Sequence, residues 1–78
     1  FGTMPACAVY PNPTENLLHV EAPEGCVLIF RDMFGRSLFE KSTTSALTKI
    51  DMSVYPQGVY TVELLKENGS FSQRVVKR

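Results

Sequence analysis

Residues Tyr60 to Leu64 have the sequence Tyr-Thr-Val-Glu-Leu, in which apolar and polar side chains alternate without a break. Successive side chains of a strand point to opposite faces, so this alternation places Tyr60, Val62 and Leu64 on one side of an extended backbone. A strand with one apolar and one polar face is half-buried. The stretch therefore predicts a sheet with one face packed against a core.

Other segments have the alternation, or the β-branched and aromatic residues, that strands favour. They are residues 7–10, 18–20, 28–32, 47–52 and 71–76. No window carries apolar residues at i, i+3, i+4 and i+7 over a helical length. We predict an all-β fold, an immunoglobulin-like sandwich of two antiparallel sheets with about seven short strands.

Turn residues separate these segments at intervals of roughly nine to thirteen residues, as in a sandwich or barrel. Three turns, at residues 22–25, 32–35 and 55–58, have Gly last and either Asp first or Pro second, which favours type I. Asn68 and Gly69 instead predict a type I′ hairpin, since both central positions need positive φ. We assign structural turn roles to Pro11, Asn12, Pro13, Asp32, Gly35, Pro56, Gly58, Tyr60, Asn68 and Gly69.

The 78 residues are enough for one small domain and too few for a dinucleotide-binding fold. Eight Lys and Arg balance eight Asp and Glu, so charge does not favour nucleic acid or an anionic membrane as partner. Residues 1–14 are uncharged, but three prolines and the lack of a basic flank argue against a membrane span or signal peptide. Because the chain starts at Phe1, we expect a fragment or a processed product.

Residues that could perform catalysis are few. His19 is the single histidine, and its place between Leu18 and Val20 indicates an exposed strand residue rather than a catalytic base. One His and two separated Cys are too few for a zinc site. The glycines fall in turns and form no phosphate-binding pattern. We predict no enzyme, no metal and no cofactor.

Two features leave alternatives open. Cys7 and Cys26 could form a disulfide in an oxidising compartment, closing a loop of about 20 residues and contributing roughly 3 kcal/mol. The alternative is that they are two small buried hydrophobes on neighbouring strands. Phe34, inside the turn at residues 32–35, either projects as an anchor for a partner or folds back onto the core.

The order of the motifs resembles that of a known family. Tyr10-Pro11-Asn12-Pro13 opens the domain, and the Asp-x-x-Gly turn follows at residues 32–35. Residues 56–62 read Pro-Gln-Gly-Val-Tyr-Thr-Val, and the chain ends in a basic strand. From about Val9 to the last residue, this set resembles the C-terminal sorting domain of type IX (Por) secretion system cargo of Bacteroidetes. The family more often has an aromatic at Arg31, leucine at Tyr55 and lysine at Arg74.

This resemblance implies a non-catalytic secretion signal, with residues 1–8 as a linker to an upstream cargo domain in the same chain. Such domains direct their cargo across the periplasm and through an outer-membrane translocon to the cell surface. A sortase-like cysteine protease then removes them, or they stay at the surface.

The family pattern assigns translocon recognition to Arg74, Val75, Val76, Lys77 and Arg78, with the last strand offering its backbone edge to a partner. The other interpretation of this segment is a solvated edge strand that its charge protects. Exposed edge strands would also permit a dimer.

The same strand pattern is typical of a second class, an immunoglobulin-like or fibronectin-like accessory module of a secreted hydrolase. Such a module binds carbohydrate or spaces other domains. The absence of Trp, the usual platform for stacking on sugars, counts against it.

Overall fold

Two β-sheets share one hydrophobic core in the computed structural model, which describes residues 2–3, 7–67 and 69–78. The large sheet has the order β1-β8-β7-β4-β5 and the small sheet the order β2-β3-β6. A single 3₁₀ turn, Met52–Val54, follows β6. The strands are β1 (Gly2–Thr3), β2 (Ala8–Tyr10), β3 (Leu17–Glu21), β4 (Val27–Asp32), β5 (Ser37–Ser42), β6 (Leu47–Asp51), β7 (Gly58–Lys66) and β8 (Gly69–Lys77).

Strand β7 is the centre of the large sheet. It pairs antiparallel with β8 from Gly58 to Lys66 and with β4 from Tyr60 to Leu65. The other strand pairs are also antiparallel, except that the two-residue β1 runs parallel to β8. Alternation buries Tyr60, Val62 and Leu64 of β7, as predicted from the sequence.

Phe30 of β4 is the largest fully buried side chain of the core. Its ring centroid lies 5.4 Å from that of Phe39 and 5.2 Å from those of Tyr55 and Tyr60. Aromatic pairs at such distances stabilise beyond the area they bury. The small sheet closes the core from the other side with a set of buried apolar side chains, namely Leu18, Val20 and Ile50.

The all-β sandwich is confirmed, with eight strands in the described residues. Each predicted segment contains or overlaps a strand, but Met52 belongs to the 3₁₀ turn and not to β6. Strand β5 was not predicted from its own residues, because the sequence Ser-Leu-Phe-Glu-Lys-Ser buries little apart from the half-buried Phe39. Strand β1 pairs over two residues only.

The turn predictions have mixed outcomes. The turn at residues 32–35 is closed by the predicted hydrogen bond, from Gly35 N–H to the Asp32 carbonyl at 3.0 Å. At residues 22–25 the Gly25 N–H donates to the Thr43 carbonyl instead. Lys66 pairs with Gly69, so Gly69 begins β8 and does not occupy the predicted central position of the turn. Asn68 itself lies outside the described residues.

The central position of Phe30 generates a stability prediction. We expect Phe30→Ala to lower the free energy of unfolding by about 3–5 kcal/mol, since it leaves a cavity among three aromatic rings. Phe34→Ala is the matched control, because Phe34 is 77% exposed. It should change the free energy of unfolding by less than about 1 kcal/mol. Urea denaturation measures both, and equal losses would contradict this account of the core.

Candidate functional site

The outer face of the large sheet brings together two segments that lie far apart in the sequence. Thr61 of β7 stands opposite Arg31 of β4 on one side and Arg74 of β8 on the other. A groove of about 440 Å³ runs over this face and reaches the turn that follows β4. Its lining residues are Arg31, Asp32, Met33, Gly35, Val59, Thr61, Glu63, Ser72 and Arg74.

The two arginines of the groove differ in their partners. The Arg31 guanidinium bonds Glu63 Oε1, from Nη2 at 3.3 Å and from Nε at 3.4 Å, and donates from Nη1 to the Gly35 carbonyl at 3.2 Å. Arg74 forms no ion pair with any carboxylate of the described residues. Its charge is therefore available to an anionic group of a partner. The Arg31–Glu63 pair was not predicted, because the two residues lie 32 positions apart.

In the turn at one end of the groove, a single carboxylate accepts three hydrogen bonds. Asp32 Oδ1 accepts from the Phe34 N–H at 2.9 Å and from the Arg36 N–H at 3.0 Å, while Oδ2 accepts from Arg36 Nε at 2.8 Å. Desolvation raises the pKa of this carboxyl, but the bonds from Arg36 and Phe34, with the nearby Arg36 charge, hold it below its ordinary value of 3.8. The turn is thereby fixed next to the groove.

A second hollow, of about 260 Å³, lies on the other side of the same turn. Asp32, Met33 and Val59 line both hollows, so the turn stands between them. Phe34 also lines the second hollow, projects into solvent and packs 5.7 Å beneath the Arg36 guanidinium. Of the two interpretations of Phe34, the structure therefore supports the outward one.

Strand alternation places the side chains of the predicted recognition segment, residues 74–78, on two different faces of the sheet. Arg74 and Val76 are exposed, and Arg74 lines the groove. Val75 is fully buried in the core, so in this fold its side chain has no exposed surface with which to contact a partner. Lys77 is half-buried and donates from Nζ to the carbonyl of the exposed Arg78 at 2.9 Å. The five residues do not form one surface.

The backbone edge of the last strand is also occupied. There the Val76 N–H donates to Asn12 Oδ1, the Val76 carbonyl accepts from the Thr14 N–H, and the Arg78 N–H donates to the Thr14 carbonyl, across 62 or more positions of the chain. In this fold the chain's own Asn12 and Thr14 take the edge positions of Val76 and Arg78 that the segment was expected to offer to a partner. Pro11-Asn12-Pro13 was interpreted only as a turn, and no local signal indicates a partner so distant in sequence.

His19 lies on the opposite face of β3 from the buried Leu18 and Val20, as predicted, but it is half-buried and not exposed. Its ring stacks on Tyr10 with centroids 5.2 Å apart, and its Nδ1 atom has no hydrogen-bond partner among the described residues. The Tyr10 hydroxyl donates to the Glu21 carboxylate, and this bond raises the pKa of Tyr10. No third group completes a catalytic arrangement among these side chains.

Cys7 and Cys26 have free thiols in the structure. Cys26 is fully buried in the core, and Cys7 packs against the core cluster. Burial raises the pKa of the Cys7 thiol, and the nearby Cys26 raises it further. The disulfide stays a prediction.

Within residues 2–3, 7–67 and 69–78, no three His, Cys, Asp or Glu side chains are grouped so as to hold a metal ion. In the same part of the chain no helix has the length and hydropathy of a membrane span.

Comparison with known proteins decides the family. The family model of the secretion system C-terminal sorting domain matches residues 8–78. The chain belongs to this family.

The sorting domain is also similar, with a TM-score of 0.85 and 21% sequence identity, to part of PorZ, an essential bacterial surface component of the type IX secretion system of Porphyromonas gingivalis. The match covers 95% of this chain and 12% of that one, and it shows a shared fold. No curated protein matches the chain.

The family is that of a sorting signal of type IX secretion cargo, and this favours the first of the two function classes over the accessory module. It implies interaction with the type IX machinery and export toward the outer membrane or cell surface. The groove of the sorting domain contains residues of both the Asp-x-x-Gly turn and the basic last strand.

The turn generates a prediction at Gly35, whose φ of +83° lies in the left-handed region. Gly35→Ala should lower the free energy of unfolding by about 1–2 kcal/mol, because a Cβ atom disfavours this conformation even though it would meet no neighbour within 4 Å. The melting temperature should fall by about 4–8 °C for each kcal/mol. Gly35→Asn should lower the free energy of unfolding by less than Gly35→Ala does, since Asn tolerates positive φ. A larger loss for Asn than for Ala would contradict this reason.

The Asp32 carboxylate generates a pH prediction. Since its pKa is lowered in the folded state, its stabilising effect is present above the unfolded pKa and is lost as pH falls through the folded value. The difference in melting temperature between the wild type and Asp32→Asn should therefore shrink below about pH 4. Glu40→Gln is the matched control, because it removes the same charge from an exposed side chain that forms no ion pair in the described residues. A difference in melting temperature between the wild type and Asp32→Asn that stays constant from pH 7 to pH 2 would refute the prediction.

Proposed function

We propose that the outer-face groove is the surface by which the type IX translocon recognises this sorting domain. The observation that carries the proposal is the position of Arg74, an arginine without an ion pair in the described residues, in a groove that the Asp-x-x-Gly turn borders. An unpaired guanidinium favours a carboxylate or another anionic group on the partner. The apolar side chains of Met33 and Val59 in the same groove favour a partner that also presents an apolar residue.

The later steps of delivery form part of the same proposal. The sorting domain directs the upstream cargo through the outer-membrane translocon from the periplasm to the cell surface. A sortase-like cysteine protease then cuts on the N-terminal side of Ala8, or the domain stays at the surface. The start of β2 at Ala8 and the start of the family match at residue 8 support this position for the cut.

Deletion of residues 74–78 would be an ambiguous test of recognition. It would remove the buried Val75 from the core and the strand partners of Asn12 and Thr14. A failure of delivery would then report unfolding as readily as lost recognition. A substitution of the exposed Arg74 side chain avoids this difficulty.

The sharper experiment uses a reporter with an N-terminal export signal and residues 1–78 at its C-terminus, in a bacterium with a type IX system. We expect Arg74→Glu to lower the amount of reporter at the cell surface about tenfold or more, because repulsion replaces a charge-assisted bond of about 1.5–3 kcal/mol. The reporter should accumulate in the periplasm. Arg74→Lys keeps the charge and should retain most of the delivery.

Lys49→Glu is the matched control, because it makes the same charge change on the small sheet. Melting temperatures of the purified variants check that each one folds. Equal surface delivery by Arg74→Glu and Lys49→Glu would overturn the proposed recognition surface.

A further inference from the structure

The outer side of β8 forms the edge of the large sheet, except where β1 pairs with Gly69 and Ser70. On its inner side β8 pairs with β7 through all nine of its residues. An edge strand with free N–H and C=O groups is a template on which another strand can add. The state of the edge from Arg74 to Arg78 therefore determines whether the last strand can associate with a second copy.

Asn12 occupies this edge with its side chain. Its Nδ2 donates to the Arg74 carbonyl at 3.0 Å, and its Oδ1 accepts from the Val76 N–H at 3.0 Å. The Arg74 carbonyl also accepts from Gln73 Nε2 at 3.0 Å. A carboxamide carries one carbonyl and one NH₂ group, so a single side chain can bond two strand positions as a peptide group would.

Thr14 continues the same pairing with its backbone. Its N–H donates to the Val76 carbonyl at 2.9 Å, and its carbonyl accepts from the Arg78 N–H at 2.9 Å, as in a parallel bridge. Thr14 is 1% exposed, and its hydroxyl donates to the Leu17 carbonyl at 3.0 Å. The backbone that carries Asn12 is thus fixed immediately after it.

We propose that Asn12 and Thr14 form an edge clasp that closes the end of β8 to strand addition by a second copy of this chain. Thr14 acts through its backbone, so Asn12 is the residue whose side chain determines whether the edge is open. The clasp bonds the backbone of Arg74 and Val76 and leaves the Arg74 guanidinium exposed. This inference does not depend on whether the groove is the recognition surface.

Amide hydrogen exchange tests the clasp in the 78-residue chain. In Asn12→Ala the Val76 amide loses its acceptor, and we expect it to exchange about tenfold faster. The Val75 amide should not change, because Val75 stands opposite Tyr60 of β7. Asn16→Ala is the matched control, since Asn16 is exposed and, among the described residues, its side chain has no hydrogen bond, while its backbone carbonyl accepts from the Met52 N–H. An unchanged Val76 rate in Asn12→Ala would overturn the clasp.

Sedimentation and light scattering test the consequence. Asn12→Ala should form dimers at a protein concentration at which the wild type and Asn16→Ala do not. Asn12→Ala combined with Val76→Pro should be monomeric again, because proline removes an edge-facing donor without disturbing the side that pairs with β7. If the Val76 amide exchanges faster but the variant does not associate up to millimolar concentration, the proposal that the clasp prevents strand addition is overturned.

If Asn12→Ala does not fold, Asn12→Asp is the second variant that tests the clasp. A carboxylate still accepts from the Val76 N–H but cannot donate to the Arg74 carbonyl. Association of this variant should therefore decrease when the carboxyl is protonated, below about pH 4. Association independent of pH would contradict the donor role of Asn12.

Discussion

The pairing of β7 with strands on both of its sides is the constraint on which the rest of the domain depends. It supplies Tyr60, Val62 and Leu64 to the core on one face, and Thr61 and Glu63 to the groove on the other. Because side chains alternate strictly along a strand, the core residues and the groove residues share one register. A slip of one residue would exchange them, so packing of the core also fixes the geometry of the outer face.

Local patterns predicted those parts of the fold that local chemistry determines. The alternation in β7 and the Asp-x-x-Gly turn each depend on neighbours within a few residues, and both were predicted correctly. Strand β5 was missed because little of its side-chain surface is buried and its pairing with β4 is made by the backbone. The Arg31–Glu63 pair and the Asn12 contacts depend on the arrangement of strands, which a single sequence does not indicate.

Two departures from the family pattern have physical explanations in the structure. Tyr55, where leucine is commoner, packs its half-buried ring against Phe30 and Tyr60 at centroid distances of 5.2 and 5.9 Å. Arg31, where an aromatic is commoner, bonds Glu63 and the Gly35 carbonyl. The first departure keeps an apolar group in the core. The second links the turn to β7 through a charged side chain.

The edge and the outer face of β8 provide different kinds of contact. Backbone N–H and C=O groups are the same in every strand, so strand addition discriminates poorly between a translocon and any other extended segment. Side chains on the outer face differ between proteins, and charge complementarity adds specificity and rate of encounter. The clasp bonds the backbone of Arg74 and Val76, while the Arg74 guanidinium has no partner among the described carboxylates. With the edge closed, the recognition surface proposed here relies on the side chains of the last strand and not on its backbone, and side chains can make a sorting signal selective.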